Sequence, residues 1–463
     1  MSISKQFVAL SGAVLLAMTA CGPRTAPQNS LSPRLNNTRF QNATANATAA
    51  PSSGKKWTIA IHLAADNNLY RAGLDDINEM EAGLAQNPEA AKMLDIIVLF
   101  DGLPRGDSKI YRITPDKNGY DKTIISEEID DKGAVIPTSK EIDSGSAEVM
   151  NKFMDFVTRN FNAKHNGFVI WNHGSGIYEN NRDGLRAVGA SSLFDITGLQ
   201  RTGGRSTPSR SFASDDQSGN HMKLSDLNPA LDIARKNLGK RMDFLDFDTC
   251  LMQYVETAYQ VKGQTGILIA SEELEPGDGQ DYEAYLGALA KNPDMNPIQL
   301  ASIIVDTYGV SYRPGGSQRG RDITLSAIDV DKLNAHFVPA INQLGQELKA
   351  NLTESKAAIS EVRNQTQTFY NRDSIDLGDF LKKLNLPGRQ GRLAAASAQV
   401  QQAMNSMVIR ETHYGRGVEG ATGVQIYMPR STMSYNRKYD DPAQIRFAET
   451  RAWGDFLRAF TAK

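Results

Sequence analysis

From residue 57 onward, short apolar runs alternate with amphipathic stretches. The apolar runs are rich in Ile, Val, Leu and Phe, and they predict buried strands at Trp57–Ala64, Leu94–Asp101, Gly167–Trp171, Met242–Phe247 and Thr265–Ala270. Apolar residues at helical spacing predict helices at Leu69–Ala85, Ala147–Phe161, Leu224–Leu238, Leu251–Lys262 and Pro297–Tyr308. This alternation favours an α/β fold in which βα units surround a mostly parallel sheet.

The last third of the chain continues the pattern. Strand-like runs lie at Asp322–Ile328 and Gly423–Met428, and helical spacing recurs at Lys332–Asn351, Arg389–Met407 and Thr450–Ala462. We therefore expect C-terminal helical and strand extensions of one domain over residues 57–463. Two segments depart from the pattern: Lys109–Ile125 is typical of a hairpin, and residues 178–221 are rich in Gly, Ser and Arg and too long for an ordinary connection.

The first 56 residues have a different character. Residues 1–20 combine one basic residue, Lys5, with an apolar stretch and then small residues, which is typical of a secretory signal. The ending Met18-Thr19-Ala20-Cys21 resembles a bacterial lipobox, so we expect Cys21 to carry a lipid; the other interpretation is a plain signal peptide with an incidental cysteine. Residues 21–56, mostly Asn, Thr, Ala, Pro and Ser, predict a disordered tether. Gly22 gives no sign of inner-membrane retention, so we expect an exported protein on the outer membrane or cell surface.

Composition excludes several functional classes. The 463 residues contain only 2 Cys, too few for a disulfide framework. The basic residues before residue 57 have no acidic counterparts there, so the folded part is more acidic than the net charge of −2 indicates, which argues against nucleic acid as a partner. The usual signatures of phosphate-loop NTPases, zincins and α/β-hydrolases are also absent from the sequence.

The candidate chemistry lies where two predicted strands end. Cys250 follows one strand and precedes the helix predicted from Leu251, and a helix N-terminus favours the thiolate; the alternative is an inert buried cysteine. His173 follows another strand, and sites assemble at the carboxyl ends of parallel strands; the alternative is a capping or core histidine. Together they would support acyl transfer, in which Cys250 attacks a peptide carbonyl and His173 protonates the leaving amine. The N–H groups of Gly174 and Cys250 are the natural oxyanion donors.

Six motifs, in one order along the chain, resemble those of the clostripain-like cysteine endopeptidases of the caspase-related clan. Two surround the candidate residues, Trp171–Gly176 and Asp248–Met252, although the family more often has Asp where this chain has Asn172. The other matching segments are Trp57–Ile59 with Ala65–Leu69 and Glu79-Met80, Ala270–Glu273 with Pro276–Gly279, Ile375–Phe380, and Gly423–Tyr427.

The resemblance implies a caspase-like α/β/α sandwich, a dyad of His173 and Cys250, and cleavage after Arg or Lys. It assigns Asp248 to the base of the specificity pocket and Asp278 to the same pocket. Asp248 and Cys250, two positions apart on a strand, would share a face. The alternatives are that Asp248 caps the following helix and that Gly277-Asp278-Gly279 is an ordinary turn.

The resemblance also bears on activation and cofactors. Family members are often activated by self-cleavage between His and Cys. In this chain we expect exposed arginines, of the residue type after which the family cleaves, in that segment: Arg182, Arg186, Arg201, Arg205 and Arg210. A flexible surface loop without processing is the alternative. Calcium dependence occurs in the family, but the sequence has no complete calcium-binding loop, so calcium stays possible without support from a motif and no other cofactor is predicted.

The sequence thus predicts an exported, lipid-anchored cysteine endopeptidase that acts on Arg- or Lys-containing proteins or peptides, as a monomer or a self-cleaved two-chain form. Two alternatives stay open. One is a caspase-clan peptidase with an Asn or Asp preference, and the other is a peptidase-like surface protein that binds ligands without cutting them.

Overall fold

A computed structural model describes residues 54–177, 212–384 and 391–462. Its strands are β1 (Trp57–Ala64), β2 (Leu94–Asp101), β3 (Lys109–Arg112), β4 (Glu127–Glu128), β5 (His165–Trp171), β6 (Phe212–Ser214), β7 (His221–Met222), β8 (Met242–Asp248), β9 (Thr265–Ala270), β10 (Ile323–Asp329), β11 (Ser374–Asp376), β12 (Val408–Tyr414) and β13 (Gln425–Tyr427). Its α-helices are α1 (Tyr70–Ala85), α2 (Pro88–Ala91), α3 (Ala147–Asn160), α4 (Leu227–Leu238), α5 (Val255–Gln260), α6 (Tyr282–Lys291), α7 (Pro297–Ser311), α8 (Val330–Lys332), α9 (Val338–Ala350), α10 (Leu352–Gln365), α11 (Leu377–Lys383), α12 (Arg392–Met407) and α13 (Ala452–Thr461).

A nine-stranded sheet in the order β12-β10-β9-β8-β5-β1-β2-β3-β4 forms the centre of the described chain. The middle strands β9, β8, β5, β1 and β2 run parallel, and antiparallel strands complete both edges. Apolar side chains of β1 alternate between the two faces: Ile59 and Ile61 pack with α1 and α6, whereas Ala60 and Ala64 pack with α3 and α4. The result is the predicted α/β/α sandwich, with helices on both faces of a mostly parallel sheet.

Most predicted elements are present with small boundary shifts, but the hairpin at Lys109–Ile125 is wrong. β3 pairs instead with β2 and, beyond residue 125, with β4. The Glu81 carboxylate explains the difference, because its Oε1 accepts hydrogen bonds from the N–H groups of Ile125 and Ser126 at 2.9 and 2.7 Å. Those backbone donors therefore have no need of a strand partner.

The later elements extend the same unit as predicted. β10 and β12 add to the large sheet, although β12 had not been predicted as a strand, since its side chains are mostly half-exposed at the sheet edge. The run predicted at Gly423–Met428 contains β13, which pairs with β11 in a separate two-stranded sheet. Within the described residues, no helix has both the length and the apolar character needed to cross a bilayer.

Candidate active site

The strand register brings the two sequence-predicted chemical groups to one place. β5 and β8 are neighbours, and Trp171 at the end of β5 pairs with Asp248 at the end of β8. His173 and Cys250 each lie two residues beyond that pair, at the carboxyl edge of the parallel strands. The two segments approach closely, because a Cβ built on Gly174 would lie only 2.2 Å from the carbonyl oxygen of Cys250. Glycine is therefore required at position 174.

The segment after Cys250 is not the predicted helix. Leu251 has a left-handed backbone with φ of 62°, unusual for a bulky side chain, and α5 begins only at Val255. The N–H groups of Leu251 and Gln253 donate to the carbonyls of Glu273 and Ser271 at 3.2 and 2.8 Å. The chain is thus bonded to the segment after β9 instead of closing a helical turn, and the predicted helix start at Leu251 is wrong.

This local structure changes the expected state of the thiol. Cys250 is half-buried, and burial raises its pKa to about 11. The N–H of Glu275, 3.2 Å from Sγ, and the N–H of Gly174 act in the opposite direction. A short helix that begins five residues after Cys250 cannot supply the predicted dipole stabilisation, so the thiol of this state is protonated at neutral pH and requires a base.

His173 is oriented by an asparagine that the sequence did not single out for a role. Its Nε2 lies 2.8 Å from Oδ1 of Asn68, in the turn between β1 and α1. Because an amide oxygen only accepts, Nε2 carries the hydrogen, and Nδ1 is the basic nitrogen of the neutral ring. Asn67 fixes this turn, since its side chain donates to the carbonyls of Ala64 and Ser214, both at 3.0 Å.

Asn172, the departure from the family pattern, has a structural reason. Its amide nitrogen donates to the carbonyls of Ala64 and Ser214, and its amide oxygen accepts from the Ser214 hydroxyl at 3.1 Å. A carboxylate has no proton to donate to those two carbonyls. The asparagine thereby ties β5 to the end of β1 and to β6.

Asp248 is the last residue of β8, two residues before Cys250, and is only 4% exposed. Its Oδ2 accepts from the Tyr282 hydroxyl at 2.8 Å, and the N–H of Gln280 lies 3.4 Å away. Burial raises its pKa to about 6, and hydrogen bonds from Tyr282 and Glu275 lower it. The alternative role as a helix cap is wrong, because the residue at the N-cap of α5 is Tyr254.

Asp278 and Glu275 are two further acidic residues, both in the loop after β9. Asp278 is exposed, and its Oδ2 accepts from the N–H of Arg319 at 3.1 Å. Glu275, which sequence reasoning did not select, shares a side-chain hydrogen bond with Asp248. The run Glu272–Glu275 before Pro276 gave only a weak signal, since acidic residues before a Pro-Gly pair are typical of a solvated turn.

Among the described residues, one group could hold a metal ion. Asp66, Asp101 and Asp215 are buried, and their ligand atoms lie within 4.8 Å of one another. Carboxylate oxygens are the ligands that Ca²⁺ and Mg²⁺ prefer. Burial raises the pKa values of Asp66 and Asp101 to about 7, which is the state expected of these carboxyls without a cation.

Several predicted residues lie outside the described part of the chain. They are the lipidation candidate Cys21 and the five processing candidates Arg182, Arg186, Arg201, Arg205 and Arg210. The final residues of the predicted loop at 178–221 are described, and they contain the antiparallel pair β6 and β7.

A caspase-like sandwich with a thiol and an imidazole at neighbouring strand ends defines a class, the caspase-like cysteine endopeptidases. The sequence profile of the clostripain family of C11 peptidases matches residues 61–195 and 198–460. This chain belongs to the clostripain family and is a cysteine endopeptidase, with proteins or peptides as its substrates.

Individual relatives agree with this assignment. Clostripain of Hathewaya histolytica is 24% identical over 446 residues, which cover 83% of this chain and 77% of that protein. The structure of a secreted C11 cysteine protease from Bacteroides thetaiotaomicron, in complex with an irreversible peptide inhibitor, has a TM-score of 0.57 at 21% identity and covers 86% of this chain and 99% of its own. An inactive zymogen C11 protease from Parabacteroides distasonis has a TM-score of 0.58 at 16% identity, over 88% of this chain and 99% of its own. These two structures share the fold.

Proposed function

We propose that this endopeptidase cleaves after Arg or Lys, with His173 and Cys250 as its catalytic dyad. The pairing of Trp171 with Asp248 carries the proposal, because it leaves the imidazole and the thiol on adjacent chain segments near a buried carboxylate. Asp248 is the anionic group that would receive the guanidinium or ammonium of the substrate by charge-assisted hydrogen bonds.

In the proposed reaction, His173 accepts the thiol proton as Cys250 Sγ attacks the scissile carbonyl. The N–H groups of Gly174 and Cys250 donate to the developing oxyanion. His173 then protonates the leaving amine, which departs and leaves a thioester. Water, deprotonated by His173, hydrolyses the thioester and restores the thiol.

A peptide assay tests this function directly. The purified chain, the Cys250→Ala variant and the His173→Ala variant are compared on fluorogenic peptides that differ only in Arg, Lys, Asn or Asp before the cleaved bond. We expect turnover of the Arg and Lys peptides alone, with loss of at least about 10²-fold in each variant. Turnover confined to Asn or Asp, or equal turnover by Cys250→Ala, contradicts the proposal.

We also propose activation by self-cleavage at one or more of the five arginines between His173 and Cys250. The residue type matches the proposed specificity. A gel of the purified chain beside Cys250→Ala is the test: a two-chain product in the first and a single chain in the second are expected. Identical cleavage of both proteins assigns the cut to another protease.

The N-terminal sequence supports a proposal of export with a lipid on Cys21, with residues 21–56 as a tether between the lipid and the folded part. Cys21→Ser is the decisive variant, since it removes the acceptor and leaves the apolar leader intact. We expect the unmutated protein to incorporate radiolabelled fatty acid in growing cells and the variant to incorporate none. Equal labelling of the two proteins, or no labelling of the unmutated protein, contradicts lipid anchoring at Cys21.

A further inference from the structure

Three carboxyl groups lie in one buried cluster near the thiol: Asp246, Asp248 and Glu275. Asp246 and Asp248 are two positions apart at the end of β8, so their side chains share one face of the strand. Glu275 reaches the same place from the loop after β9. Its backbone N–H lies 3.2 Å from Cys250 Sγ, and its carboxyl forms a hydrogen bond with that of Asp248. Glu275 therefore contacts both the thiol and Asp248, the proposed base of the specificity pocket.

The buried cluster combines acidic groups with uncharged donors, and the Tyr285 and Tyr308 hydroxyls next to it also lack a hydrogen-bond partner. The groups that bond to Asp246 and Asp248 are uncharged, namely Nε2 of Gln280 at 2.9 Å and the Tyr282 hydroxyl at 2.8 Å. Oε1 of Glu275, Oδ2 of Asp246 and Oε1 of Gln280 are buried and have no hydrogen-bond partner. Buried acceptors without donors are costly, and these three oxygens are available to a cationic donor.

The shape of the missing donor favours one cation. A guanidinium carries five N–H donors in a plane and can bond to carboxylates on two sides, whereas an ammonium carries three donors on a single nitrogen. Asp248 alone offers one carboxylate. Asp248 with Glu275 offers two, hydrogen-bonded to each other and therefore close enough to flank one planar group.

We propose that Glu275 is a second acidic residue of the specificity pocket and selects Arg over Lys by binding the guanidinium together with Asp248. This inference rests on the proposed cleavage after Arg or Lys. Asp278 has a different position, because its carboxylate is exposed and bonded to the N–H of Arg319. Without substrate, Glu275 holds a proton, since burial raises its pKa well above the ordinary value. Arrival of the guanidinium releases that proton to solvent and leaves two carboxylates against one cation.

The test measures kcat and KM on two peptides that differ only in Arg or Lys at the cleaved position. Glu275→Gln keeps the shape of the side chain and removes its charge. We expect kcat/KM for the Arg peptide to fall by about tenfold or more, mainly through KM, and that for the Lys peptide to fall much less, so that the Arg/Lys ratio decreases. Glu89→Gln is the matched control, because the Glu89 side chain is 83% exposed on α2, and its ratio should equal that of the unmutated protein.

Different outcomes separate the two proposals. If the unmutated protein cleaves neither peptide, both proposals fail. If it cleaves both and Glu275→Gln has an unchanged ratio, or loses both activities equally, the role of Glu275 in specificity is overturned while the proposed function stands. Glu275→Asp covers the case in which Glu275→Gln does not fold. It keeps the negative charge but shortens the side chain by one methylene group. We therefore expect its Arg/Lys ratio to lie between that of the unmutated protein and that of a pocket to which Glu275 contributes nothing. An Arg/Lys ratio in Glu275→Asp equal to the unmutated one also overturns the inference.

Discussion

The Cys250 thiol is bonded by backbone on two sides, yet its pKa is high. The N–H groups of Glu275 and Gly174 favour the thiolate, while burial, Glu273 and Asp248 disfavour it, and burial dominates. A nucleophile in this setting is activated only when a base removes its proton during the reaction. His173, the proposed base, would therefore contribute more to activation than it would for a thiol at a helix N-terminus.

The rate of alkylation of Cys250 measures its thiolate fraction and therefore its pKa. In a Cys21→Ser, His173→Ala double variant, Cys250 is the remaining cysteine and has no imidazole beside it. We expect its rate of reaction with iodoacetamide to rise about tenfold per pH unit between pH 7 and 10, because the rate follows the thiolate fraction and the pKa is about 11. The same measurement on free cysteine, with its ordinary pKa, is the control. A rate that levels off below pH 8 contradicts a pKa raised by burial.

Asn68 is the residue that we expect to set the direction of the His173 ring. Loss of its amide oxygen in Asn68→Ala removes the acceptor 2.8 Å from Nε2, and with it one of the contacts that orient the ring and set its tautomer. We expect kcat to fall by about 10–100-fold, the range typical of losing a bond that orients a functional histidine, with little change in KM.

Asn68→Asp is the informative partner variant, because it keeps an acceptor and adds a negative charge. It should recover much of the activity, and the charge should raise the pKa of His173 and shift the acidic limb of the pH profile to higher pH. Asn68→Ala with an unchanged kcat, or Asn68→Asp as inactive as Asn68→Ala, is the result that contradicts a positioning role.

At the scale of elements, the close approach of the segments after β5 and β8 depends on Gly174. A methyl group there would lie 2.2 Å from the Cys250 carbonyl oxygen and 2.8 Å from the Thr249 hydroxyl, so one segment must move. We expect Gly174→Ala to lower the free energy of unfolding by about 1–3 kcal/mol, as overpacking does, and to reduce kcat/KM sharply because the dyad separates. Urea unfolding and the peptide assay measure the two effects.

Gly277→Ala is the control for this prediction, since nothing lies within 4 Å of its added Cβ. It should leave both quantities nearly unchanged. Equal stability and equal kcat/KM in Gly174→Ala and the unmutated protein would show that the segments tolerate the methyl group.

The bounds of some strands can be predicted from the local sequence alone, whereas those of other elements cannot. β1, β2 and β9 have the predicted bounds because each is a mainly apolar run with polar or turn residues close to both ends. The helix predicted from Leu251 fails because the pattern of apolar residues there is equally compatible with a chain bonded to residues 271–273, and that pairing depends on β9 lying beside β8. His173 and Cys250 could be selected from strand ends, whereas Asn68 and Glu275 could not, since their contacts join residues far apart in the sequence.

At the scale of the whole molecule, many carboxyl groups are buried around the sheet. Burial raises the pKa of Glu79 to about 8 and those of Asp66, Asp101, Glu256 and Glu273 to about 7. In the unfolded chain these groups ionise near pH 4 to 4.5, whereas the folded chain holds their protons until pH 7 to 8. Between about pH 4 and pH 8 the folded state therefore binds more protons than the unfolded state, so the free energy of unfolding decreases as pH rises through this range. Buried His62 acts in the opposite direction only below its ordinary pKa of 6.5, because its folded pKa is about 4.

We therefore expect the Tm of the Cys250→Ala chain, in which self-cleavage cannot occur, to fall between pH 6.5 and pH 8.5. Calorimetry at constant ionic strength measures the slope. Glu79→Gln should flatten it, because Glu79 has the highest of these pKa values and the amide cannot ionise, whereas Glu89→Gln on the exposed helix α2 should leave it unchanged. A Tm that is higher at pH 8.5 than at pH 6.5 would mean that the folded chain holds these carboxyls ionised, for which bound cations at the acidic clusters would be the physical cause.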